Sequence, residues 1–156
     1  MAHPPRIPVL LPVEKAVIYF ITFCVQDRHK VLANPEAMTA FLDAANRMEG
    51  RWIVRSATLM PDHIHVLAVP HDRYESVGNF AGAIKRWMRQ SLAAKWAWQT
   101  GCFDRLLRSA ESADAKWHYI RENPVRAGLV KHWQDWPYHI GVDPEERQEL
   151  PFVIEA

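Results

Sequence analysis

The run "AVIYFITFCV" (residues 16–25) constrains the fold more than any other stretch. A near-continuous series of β-branched and aromatic residues suits a strand covered on both faces, so the chain must build a sheet around it with packing above and below. The segments that follow say what does the packing. "NPEAMTAFLDAANRMEG" reads as a helix, with Asn34 as N-cap, Pro35 at the first helical position, Met38, Phe41, Leu42 and Ala45 at helical spacing, and Gly50 to stop it. "RWIVRSATLM" (51–60) is β-rich, and Pro61-Asp62 turns the chain into a second strand that begins at His63, which makes a hairpin. From Ser76 to about Gln99, Val77, Phe80, Ala81, Ile84, Met88 and Leu92 form one apolar arc of a helix, with Lys85, Arg86 and Arg89 on the opposite arc. After Gly101, "CFDRLLR" is a short strand and "SADAKWHYIRENP" a further helix. The residue before a proline avoids the helical region, so Pro124 is expected to end that helix and leave Asn123 at its terminus.

Strand, helix, hairpin, helix, strand is the order of a ferredoxin-like split βαβ domain. This α+β fold is an antiparallel sheet with two helices on one face, here with an added C-terminal helix. At 156 residues the chain is expected to form a single domain over 1–156. Residues 1–13 read as an N-terminal arm and 132–156 as an acidic C-terminal tail. A chain of this length buries roughly 70% of its unfolded surface, enough for one core without staples. The first and third strands are central in this topology, so the hairpin strand lies mid-sheet.

That strand opens "MPDHIHVLAVP" (60–70). Strand side chains alternate faces, so His63 and His65 share one with Leu67 and Val69, while Ile64, Val66 and Ala68 line the other. Two neighbouring imidazoles can hold a metal ion if a third group arrives from elsewhere; they can equally be two half-buried, hydrogen-bonded histidines. The added helix is the natural cover for this face. On it Ala113, Trp117 and Ile120 form the apolar stripe, with Tyr119 off to one side and Asn123 one turn later.

A formal charge of +1 conceals an uneven distribution. Residues 1–84 carry eight basic and eight acidic side chains, 85–131 ten and four, and 132–156 one and six, which gives 0, +6 and −5. A basic middle segment fits a phosphate backbone, or else is a solvated helical face. The seven tryptophans suit a thick core or platforms for unpaired bases. Cys24 and Cys102, the chain's two cysteines, lack zinc-knuckle spacing and are too few for a disulfide scaffold, which points to a reducing, cytoplasmic setting. Prolines interrupt "MAHPPRIPVLLPVEK", and no apolar run nears the roughly 20 residues that span a bilayer, so a soluble protein without membrane contact is expected.

Together, "MPDHIHVL" and "HYIRENPVRAGLV" closely resemble the single-tyrosine HUH transposases, specifically the REP-associated tyrosine transposases of bacterial chromosomes. The resemblance runs from "VIYFITF" through "FDRLLRS" to "DWPY". It implies a ferredoxin-like fold, a divalent ion (Mg²⁺ or Mn²⁺) held by His63, His65 and Asn123, and Tyr119 as nucleophile. Two positions depart from the pattern. Related insertion-sequence transposases usually carry glutamine where this chain has Asn123, and relatives often carry small hydroxyl residues where it has His139-Ile140. The implied reaction is attack of Tyr119 on a phosphodiester, leaving a 5′-phosphotyrosine and a free 3′-hydroxyl, with strand transfer on reversal. A phenol ordinarily titrates near about 10 and is a weak nucleophile at neutral pH, so the phosphate in front of it needs activation. The implied partner is single-stranded or hairpin DNA, taken by a monomer or a homodimer. Lys85, Arg86, Arg89, Arg105, Arg108, Arg121 and Arg126 would hold its backbone. Some of Trp117, Trp133 and Trp136 would stack its bases, with Trp117 expected in the core. The alternatives are a silent hairpin-binding module and a nuclease that activates water at the histidines.

Overall fold

In the computed structural model, residues 17–145 are described; the N-terminal arm (1–13) and the acidic end from 146 onward lie outside the described residues. These residues form strands β1 (Ile18–Cys24), β2 (Trp52–Leu59), β3 (His63–Pro70), β4 (Phe103–Leu107) and β5 (His139–Ile140). Helices α1 (Pro35–Arg47), α2 (Val77–Leu92) and α3 (Ala110–Arg126) complete the fold. The sheet order is β4-β1-β3-β2-β5, antiparallel throughout, so β1 and β3 are central and the ferredoxin-like α+β fold is present.

Each helix begins at a residue suited to cap it. The Asn34 side chain accepts from the Ala37 N–H at 2.8 Å, Ser76 from Asn79 and Ser109 from Ser112, each satisfying a donor the first turn leaves free. One sheet face packs Tyr19, Ile21, Phe23, Ile64, Val66 and Ala68 against α1 and α2. The other packs Ile18, Leu67, Val69 and Leu107 against Ala113, Trp117 and Ile120 of α3. The alternation expected along β3 is therefore present, and the added helix covers the histidine face.

Three expectations about boundaries are corrected. First, α2 ends at Leu92 rather than near Gln99, because Ala93 adopts a left-handed conformation (φ 47°). The chain then returns along the sheet, where Val25 bridges Trp98 and the Trp98 indole donates to the Lys85 carbonyl. Second, α3 continues through Pro124 to Arg126 and stops at Gly128 (φ 74°). A proline removes the bond to the carbonyl four residues back, here that of Ile120, and an orphaned buried acceptor is costly. The Thr58 hydroxyl of β2 donates to that carbonyl at 3.0 Å, so the helix survives its proline.

Third, the part of the acidic tail within the described residues, 132–145, is a strap bound to the sheet. β5 pairs with β2, the Trp136 indole donates to the Leu59 carbonyl at 3.1 Å, and Val142 is buried. Gly141 (φ 64°) is required there, since a Cβ would lie 2.0 Å from the Arg55 carbonyl oxygen; its own carbonyl accepts from the Trp117 indole at 2.8 Å.

Candidate active site

β3 brings His63 and His65 to one face with ring centroids 4.7 Å apart. Their partners follow from strand register: His65 lies opposite Thr22 on β1 and Thr58 on β2, and His63 lies opposite Cys24. The Thr22 hydroxyl is 2.8 Å from His65 Nδ1. His63 Nδ1 is 2.7 Å from Asp62 Oδ1, while the other oxygen of that carboxylate accepts from Arg28 Nε at 2.8 Å. A carboxylate only accepts, so Nδ1 of His63 carries the proton and Nε2 presents a lone pair. Arg28 Nη2 also approaches His63 Nδ1 at 3.3 Å, but the shorter contact to the carboxylate decides the tautomer.

Both imidazoles are neutral at pH 7. Burial lowers the pKa of His63 against the opposing pull of Asp62. Burial takes that of His65 down to about 3, helped by His63, Arg126, Lys116 and Arg28. Burial would raise the Asp62 carboxyl, yet the hydrogen bonds from Arg28 and His63 and their charges together hold it below its usual range. The arrangement suits metal binding: two neutral imidazoles, each with Nδ1 beside an oxygen partner, Asp62 leaving Nε2 of His63 for a ligand and Thr22 doing the same for His65 when its hydroxyl accepts from Nδ1. Asn123 adds a buried side-chain amide whose nitrogen has no hydrogen-bond partner. It sits in the buried stripe of α3 with Ile120 and Pro124, one turn beyond Tyr119. Two imidazoles and an amide are a donor set that a borderline divalent ion accepts.

Tyr119 projects from the margin of that stripe, 39% exposed. Its ring lies edge-on to His65 at 5.4 Å and to Phe20 at 5.9 Å. The Arg126 guanidinium covers it at 4.0 Å, and Lys116 Nζ stands 5.2 Å from its centroid and 4.8 Å from that of Phe20. Tyrosine, histidines and cations thus meet within one chain.

The basic residues singled out from sequence divide. Arg126 is at the tyrosine, Arg105 lies opposite Phe20 and so on the same sheet face, and Arg108 is exposed just before α3. Lys85, Arg86 and Arg89 are on α2, across the sheet from the histidines. The Lys85 ammonium donates to the carbonyls of Gln99 and Gly101 and is half-buried; Arg89 donates to those of Trp96 and Ala94 but remains exposed, as does Arg86 beside Trp87. Arg121 is stacked between Trp117 and Trp133 and donates to Glu122. Trp117 and Trp136 are buried and Trp133 is half-buried, so none of these three offers a free ring face comparable to an exposed aromatic.

Sequence reasoning passed over Lys116, Arg28, Asp62, Thr22 and Phe20. Asp62 was signalled by its place directly before His63, and Lys116 by lying three residues before Tyr119 on one helix face. Thr22 and Phe20 needed the strand register, and Arg28 the path of the turn that follows β1.

The fold and this face define a class: a ferredoxin-like domain with a histidine pair on the central strand and a tyrosine helix laid across it. The comparisons agree with the resemblance read from the motifs. The chain is 24% identical over 141 residues to a putative REP-associated tyrosine transposase of Haemophilus influenzae, covering 80% of this chain and 79% of the relative. It shares its fold with a REP-associated tyrosine transposase whose structure was solved bound to a REP hairpin. That match has a TM-score of 0.75 and 20% identity, and covers 96% of this chain and 93% of the other. A looser likeness, with a TM-score of 0.49 and 19% identity, is to a putative transposase from Deinococcus radiodurans, over 78% of this chain and 97% of that one. No family model matches.

Proposed function

We propose that this chain is a REP-associated tyrosine transposase that cuts and rejoins single-stranded or hairpin DNA through a covalent bond to Tyr119, with a divalent ion as cofactor. The observation that carries the reading is the placement of a partly exposed phenol ring 5.4 Å from the ring of a neutral, hydrogen-bonded histidine of a two-histidine strand, with the Arg126 guanidinium 4.0 Å and the Lys116 ammonium 5.2 Å from the phenol ring's centroid. The hairpin in the structural relative supports DNA as the partner.

His63, His65 and Asn123 are the residues that would hold the ion, with Asp62 and Thr22 orienting the imidazoles. When bound, it supplies positive charge against the oxygens of the scissile phosphate. Lys116 and Arg126 add charge on the tyrosine side, where a phosphate would enter and where negative charge grows during displacement. The Tyr119 oxygen attacks phosphorus and gives up its proton to water, the bond to the 3′ oxygen breaks, and the leaving oxygen takes a proton from water. The energy of the phosphodiester is kept in a 5′-phosphotyrosine, and attack by a new 3′-hydroxyl rejoins the strand. Two imidazole nitrogens favour a transition ion such as Mn²⁺ over the harder Mg²⁺.

The test is incubation of 3′-labelled hairpin DNA with Mn²⁺ and either wild type or Tyr119→Phe, resolved on a denaturing gel. Wild type should give a labelled protein band and Tyr119→Phe none, while both bind the hairpin alike. Adduct formation by the phenylalanine variant would overturn the assignment, and cutting without any adduct would favour activated water.

A further inference from the structure

The cover over the histidine face runs out along β4. Leu107 is buried beneath α3, but Phe103, four residues earlier on the same face, is 69% exposed. Among the exposed large apolar side chains of the described residues, Phe103 is the one carried by the sheet on that face. Its position relative to the site is set by register: Phe103 lies opposite Thr22, and Thr22 lies opposite His65 and meets its Nδ1. Two inter-strand spacings separate Phe103 from His65, about 10 Å. The ground between and beside them is chemically consistent. Arg105 projects from the same face opposite Phe20, and Lys116 stands over the Phe20 ring. An exposed ring two residues from Arg105 on the face that carries the histidines has the make-up of a stacking platform for an unpaired base.

We infer that Phe103 is that platform: it stacks one unpaired base of the single strand flanking the hairpin, with Arg105 on the adjoining phosphate, and so sets which phosphate lies before Tyr119. This rests on the DNA-processing reading above. It also accounts for why an edge strand otherwise exposed carries a phenylalanine outward, where a soluble sheet edge ordinarily carries charge.

Two probes test it: a bare DNA hairpin, and the same hairpin with a single-stranded flank on one side or the other, in which a fluorescent adenine analogue quenched by stacking is moved through successive flank positions. Phe103→Ala should bind the flanked hairpin roughly 5- to 150-fold more weakly than wild type and the bare hairpin equally well. One flank position should be quenched by wild type and by Phe103→Tyr, which keeps the ring, but not by Phe103→Ala. If the quenching pattern and flanked-hairpin affinity of Phe103→Ala match wild type, the platform is wrong while the DNA reading stands. If Phe103→Ala instead changes only the sedimentation of the protein, the ring serves contact between copies and the inference falls. If wild type binds neither probe, the DNA reading falls and takes the platform with it. Matching thermal melts of the three proteins would exclude a folding defect.

Discussion

The Thr58 hydroxyl donates to the Ile120 carbonyl at 3.0 Å, joining β2 to the turn of α3 that carries both Tyr119 and Asn123. Without it, Pro124 would leave that buried carbonyl unpaired and press its ring against it. Thr58→Val keeps the shape and removes the donor. It is expected to cost about 1–3 kcal/mol in urea unfolding. It should also slow adduct formation beyond that loss, because Tyr119 is aimed by this turn. Unchanged stability would mean that the helix tolerates its proline unaided.

Metal affinity should depend on residues behind the histidines as well as on the histidines. Mn²⁺ titration by calorimetry is expected to show no binding to the His63→Ala, His65→Ala double variant, and binding roughly 10- to 100-fold weaker for Asp62→Ala, which frees His63 Nδ1. Equal affinity for Asp62→Ala and wild type would remove the carboxylate from the site.

Depressed histidine titration has a direction. His65 folded protonates at about 3, against about 6.5 for an exposed histidine, so between those values the unfolded chain binds the extra proton. Stability is then lost as pH falls below about 6.5 and levels off only near the folded value, with a slope of up to about 1.4 kcal/mol per pH unit from this group. His65→Gln should flatten metal-free stability against pH in that window. Parallel curves for the two proteins would contradict a buried neutral imidazole.

The two sets of cations should separate by salt dependence. Each phosphate contact on a single strand contributes a slope of about −0.7 in log K against log salt. Replacing Lys116 and Arg126 together should therefore flatten the slope by roughly 1.4. Lys85→Met should leave the slope unchanged and lower the melting temperature, since the ammonium holds the carbonyls of Gln99 and Gly101. A flatter slope for Lys85→Met would return α2 to the DNA interface.

The sequence by itself determined the order of elements, the helix cap at Asn34, and the common face of His63, His65, Leu67 and Val69. These follow from periodicity and capping, which nearest neighbours along the chain dictate. The tertiary structure decided what those residues meet. Periodicity identified the arc of α2 that turns from the core. It could not reveal that the 94–101 loop returns to that arc and takes Lys85 and Arg89 as caps. A proline rule that considers only the local backbone ended α3 at Asn123, whereas the helix persists because a hydroxyl sixty-two residues away in sequence supplies the missing bond. Arg28, Thr22 and Phe20 joined the histidines for the same reason: hydrogen-bond partners and burial belong to contacts between distant segments, and a one-dimensional pattern carries no record of them.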